Sequence, residues 1–258
     1  MQAVEAPMPP GSIESGRVVD AAAIGTLLRQ MLASLRVSET RAMLVMSDSI
    51  ASFRVMTFPR ATSDSEVEAS VKSQLPVSSP RIALRQVEVD SRNGHRIVYA
   101  VAWDRDLVLE LAEATRQAGL VPQVADLKSL CLARVVPLPS CLVLDLTEET
   151  REVFLIDDHL PRLWHTFKAG SNTNLVEELA DGMRPVLVYL RRLTGGTFGP
   201  SSPILVRSQP ELPAGMLERL SALTGHPAHP FPQPARVPET VHHHPYLSCI
   251  GLVMRRGA

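Results

Sequence analysis

The stretch Cys141–Ile156, CLVLDLTEETREVFLI, constrains the fold more than any other part of the chain. Leu142, Val143 and Leu144 are an unbroken apolar run, and Glu152-Val153-Phe154-Leu155-Ile156 is its return, so the stretch reads as strand, tight turn, strand. The connecting Asp145-Leu146-Thr147-Glu148-Glu149-Thr150 is the kind of turn that holds a phosphate in many nucleotide-binding folds. Such a turn needs glycines, so that the backbone can come close and aim its N–H groups inward. This one has no glycine and carries two carboxylates, Glu148 and Glu149, at its tip.

Upstream of this hinge, Met1 to Ser15 is expected to be an extended lead-in, with Pro7, Pro9 and Pro10 in it. Asp20 then caps a helix to about Leu35, whose Ile24, Leu27, Leu28, Met31, Leu32 and Leu35 form one apolar face. Ala42–Met46 and Phe53–Phe58 read as a strand pair. Ser63-Asp64-Ser65-Glu66 opens a helix to about Leu75. Ile82–Val89 and Arg96–Trp103 form a second strand pair, joined through Asn93-Gly94. Asp104 caps a helix over Leu107–Ala118 that Gly119 ends, a strand covers Val121–Ala125, and a helix covers Ser129–Val136. Pro137 to Ser140 marks the boundary between two halves.

Beyond the hinge, Arg162–Phe167 reads as a third strand. Asn174 caps a helix interrupted at Pro185 by a kink or by the start of a second helix. A glycine-rich loop, a strand at Ile204–Val206, a helix over Ala214–Leu223, a proline-rich run over Pro227–Pro238 and a closing helix over Tyr246–Met254 follow. The order is mixed α/β in two unequal halves.

An apolar fraction of 45% is enough for a core, and a net charge of −1 without a basic stripe argues against nucleic acid. Cys131, Cys141 and Cys249 are isolated and fit reduced thiols of a cytosolic protein. No apolar run approaches the roughly 18 residues of a membrane span, and the first residues do not form a signal peptide.

Several segments in order resemble the PilM family of type IV pilus assembly proteins, actin-like relatives of FtsA. PPGSIESGRVVD is similar to the family's turn into its first helix. SDSEVEASVKSQLPVSSPRIALRQVEV resembles its inserted small subdomain, and VYAVAWDRDLVLELAEATRQAGLVPQVADLKSLCLARVV the elements leading into the second half. SCIGLVMR resembles the closing helix. The resemblance implies an α/β, actin-like (ribonuclease H-like) two-half fold in truncated form. The first half would be 1–138, with core 17–60 and 120–138 and the small subdomain at about 61–119; the reduced second half would be 139–258.

Family members bind ATP between the halves, using a glycine-containing hairpin that this chain begins after. Their second phosphate turn would survive here as Asp145, Thr147 and Thr150, and their adenosine-side turn falls at Ile204–Gln209, without glycine. Micromolar ATP affinity corresponds to about −8 kcal/mol, and each charge-assisted hydrogen bond from a glycine turn to about 1.5–3 kcal/mol. Losing two or three takes binding to the millimolar range or weaker. The expectation is therefore a non-catalytic site without cofactor, with ATP and magnesium bound only if an upstream hairpin is supplied.

The resemblance further implies a cytoplasmic scaffold on the inner face of the cytoplasmic membrane. It would bind the amino-terminal tail of a single-span, PilN-like partner, beside other pilus assembly proteins, with self-association left open. Met43, Val45, Val55, Phe58, Val67 and Val71 are the candidate contact residues, each equally readable as ordinary core. The alternatives are an actin-like ATPase with its hairpin upstream of Met1, or the cytoplasmic platform protein of type II secretion. The remaining constellations read blandly. Thr194–Gly199 lacks the lysine of a phosphate loop, and His226, His229 and His242–His244 lack the partners of a metal site. Asp157-Asp158-His159 sits where a hairpin turn belongs.

Overall fold

The computed structural model describes residues 3–14, 16–76, 80–92, 94–147, 150–167, 174–190, 198–209, 212–234, 237 and 244–255. The chain divides into two units, 1–127 and 128–257.

The first unit opens not with a plain extended lead-in but with a minimal hairpin, β1 (Ile13–Glu14) and β2 (Arg17–Val18). The Asp20 carboxylate then accepts from the Ala23 N–H at 2.8 Å and starts α1 (Ala21–Leu35), where the apolar periodicity places it. The next two strands are not partners. β3 (Arg41–Met46) pairs in parallel with β7 (Val121–Leu127). A short 3-10 turn, Asp48–Ile50, carries the chain away to β4 (Ala51–Pro59), which pairs antiparallel with β6 (His95–Asp104). β6 takes β5 (Ile82–Arg92) on its other side, giving the order β4-β6-β5.

Helix α2 (Asp64–Gln74) covers one face of this three-stranded sheet. Ser63 and Glu66 close a reciprocal cap at its start, and Val67, Val71 and Leu75 pack on Met56, Val98, Ala100 and Ala102. The three-stranded sheet and α2 thus lie within 51–104, and α3 (Arg105–Gln117) contributes nothing to their apolar core. α3 packs on α1, where a Cβ at Gly25 would meet the Gln117 Cβ at 2.9 Å.

The second unit begins at α4 (Lys128–Val135), ahead of the prolines that mark the boundary in the sequence. It continues through β8 (Cys141–Leu146), β9 (Arg151–Asp157), β10 (Leu160–Phe167), α5 (Leu175–Leu190), β11 (Ile204–Ser208), α6 (Met216–Thr224), β12 (Ala228–Pro230) and α7 (Leu247–Val253). The sheet order is β10-β9-β8-β11-β12, antiparallel through β8 and parallel beyond it. Strand alternation sends Leu142, Leu144, Val153 and Leu155 to a core under α5 and α6. Val143, Phe154, Ile156 and Leu205 point to the opposite core, with Leu132 of α4 and Leu247 and Ile250 of α7. Leu132, Ala133 and Val135 of α4 are members of this core.

Two elements of this unit are narrowed by the structure. α5 runs through Pro185 as one helix, with no second helix starting there. The proline-rich run is not all loop, since Ala228–Pro230 pairs with Ile204–Val206 as an edge strand, where a missing N–H is tolerated.

The β9–β10 turn forms as the sequence suggests, with Asp158 at φ 54° and His159 at φ 59°. Both central residues are left-handed, the geometry that Asn-Gly supplies with least strain. Asp158→Asn with His159→Gly is expected to raise stability by about 1 kcal/mol, or Tm by about 2–4 °C, measured by thermal unfolding. A fall in Tm would mean that the two side chains make contacts worth more than the strain.

Candidate functional site

Strand register builds the site. Asp145 on β8 lies opposite Glu152 on β9 and beside Arg207 on β11, so three neighbouring strands set three charged side chains in one row. The row lies on the face covered by α4 and α7, and α4 begins with Lys128, which closes over it. Asp145, Glu152 and Arg207 are 0%, 8% and 5% exposed, burial that charged groups reach only when paired.

The pairing is complete. Arg207 Nη1 donates to both carboxylate oxygens of Asp145, and its Nη2 donates to the Pro245 carbonyl at 3.0 Å. Lys128 Nζ lies 2.6 Å from Asp145 Oδ2 and also pairs with Glu152 Oε2. The Trp164 indole N–H donates to Glu152 Oε1 at 2.9 Å, and the Lys128 ammonium stands 5.5 Å from the centre of the Phe154 ring. Two cations balance two carboxylates. Burial by itself pushes the Lys128 ammonium down, but Asp145 and Glu152 beside it outweigh that, and its pKa lies above the ordinary 10.5.

The turn above the row is closed on itself. The Thr147 N–H donates to the Thr150 carbonyl at 3.0 Å, and the Thr150 N–H donates to Thr147 Oγ1 at 2.9 Å. The two threonine hydroxyls are 2.9 Å apart. Glu148 and Glu149 lie outside the described residues. A magnesium triphosphate needs a carboxylate facing solvent and N–H groups facing the phosphates. Asp145, Thr147 and Thr150 present neither, so these three residues do not fit that ligand.

The structure thus brings the three predicted turn residues together but spends them on one another and on partners the sequence did not single out. Lys128, Glu152, Trp164 and Arg207 were missed. The available signal was an ionisable residue closing an otherwise apolar strand, Asp145 in CLVLD and Arg207 in ILVR.

The candidate partner contacts separate. Val67 and Val71 are 2% and 0% exposed in the core under α2, and Phe58 packs against that same core, so these three serve the interior. Val55 sits on the other face of β4, opposite Tyr99, whose ring stacks with Phe53 at 6.1 Å. Met43 and Val45 are half-buried on β3.

His226 Nδ1 lies 3.1 Å from the Ser202 carbonyl, and its ring packs on Phe198. His242, His243 and residues 191–197 lie outside the described residues. Among the described residues, no group of three potential metal ligands comes together. Asp157 is structural: it accepts from the Ser140 hydroxyl at 2.8 Å and the Phe198 N–H at 3.0 Å, and pairs with Arg162.

Cys131 and Cys141 are buried and Cys249 is exposed, and burial pushes the Cys141 thiol up to about 12. A thiol reagent at pH 8 is expected to titrate one cysteine in the native chain and three in denaturant. Rapid native labelling of all three would show that the α4–α7 layer opens.

No protein-family model matches this chain, and no curated protein does. Solved structures do. A PilM–PilN type IV pilus biogenesis complex matches with TM-score 0.67 and 21% identity, over 97% of this chain and 89% of the other. The cytoplasmic domain of EpsL, an inner-membrane component of the type II secretion system of Vibrio cholerae, matches with TM-score 0.52 and 10% identity, over 95% and 84%. At these identities the likeness is one of fold, and the fold is the actin-like one. Among the described residues no helix is long and apolar enough to cross a membrane.

Proposed function

We propose that this chain is a non-catalytic scaffold of a type IV pilus assembly complex, holding the cytoplasmic tail of a single-span, PilN-like membrane protein. The observation that carries the first half of this reading is the Asp145 row. The acid at the phosphate turn is buried, doubly paired and charge-neutral with its neighbours. An acid in that state neither holds a metal nor orients water. The second half draws on the likeness to the PilM–PilN complex. On this reading the protein works peripherally, on the inner face of the cytoplasmic membrane.

A second reading, the cytoplasmic platform of a type II secretion system, draws on the likeness to EpsL. It differs in the partner and not in the chemistry.

Calorimetric titration with magnesium ATP tests the first half, with synthetic tails of single-span pilus and secretion proteins as the second titrants. No heat is expected from ATP below the millimolar range, and a tail is expected to bind in the micromolar range. Micromolar, magnesium-dependent ATP binding would overturn the non-catalytic reading.

A further inference from the structure

We draw no further inference here: the strongest candidate, the face of the β4-β6-β5 sheet turned away from α2, where Phe53, Val55, Val101 and Trp103 are half-buried and Val87 is exposed, carries nothing because nothing in the structure shows what covers it.

Discussion

Asp145→Ala is expected to destabilise the second unit by about 3–5 kcal/mol, measured as a drop in the urea midpoint at unchanged slope. The cost arises from what remains. Arg207, 5% exposed, and Lys128, part-buried, would be left facing one carboxylate, Glu152, in a site too buried to solvate the surplus charge fully. Removing Asp145 and Arg207 together tests that account. Asp145→Leu with Arg207→Leu leaves the Lys128–Glu152 pair neutral, and is expected to recover most of the loss, because a balanced apolar replacement of a buried pair is often neutral or stabilising. If the single variant costs less than 1 kcal/mol, or the double variant costs more than the single, the row is not the closed ion cluster described here.

The same cluster sets a direction with pH. The pKa of Lys128 is raised in the folded chain, so its stabilising contribution is complete below the ordinary lysine value and is lost only as pH rises through the higher folded value. It is therefore fully present at neutral pH and fades in strong alkali.

Gly251→Val is expected to cost about 3 kcal/mol, toward the upper end for overpacked positions, and to loosen α7 from α4. A Cβ at Gly251 would fall 1.9 Å from the Cys131 carbonyl oxygen, 2.6 Å from its carbon and 3.0 Å from its Cα. All three are main-chain atoms in the middle of α4, so no rotamer change relieves the clash. Helix propensity pulls the other way, since glycine inside a helix is about 0.8–1.0 kcal/mol worse than alanine. The sign of Gly251→Ala thus decides whether the approach is as close as it stands: a loss confirms it, and a gain would show slack between the helices. Val253→Ala in the same helix, at a side chain 75% exposed, is the control and should leave the midpoint within about 0.5 kcal/mol.

Local physics made much of the chain legible. Asp20, the Ser63–Glu66 cap and Asp104 start helices through bonds to N–H groups two or three residues away, which any sequence window contains. The strand–turn–strand at the hinge was equally plain, because an apolar run either side of a polar tip depends on neighbours alone. The edge strand in the proline-rich run was hidden because proline argues against a strand everywhere except at an edge, and edges are known only once the sheet is assembled. The separation of β3 from β4 was hidden for the same reason, since strand partners are chosen by register across a sheet.

The amino-acid order by itself determined that this chain is an α/β protein whose Asp145–Thr150 turn has no glycine, because caps, periodicity and turn composition are short-range properties. What became of Asp145 was decided only by the tertiary structure. Lys128 and Arg207 stand 17 residues before and 62 after it in the chain, and only the parallel register of β11 on β8, with α4 laid across their shared face, brings both cations onto one carboxylate. Charges meet through space, at distances that nothing in the linear order specifies.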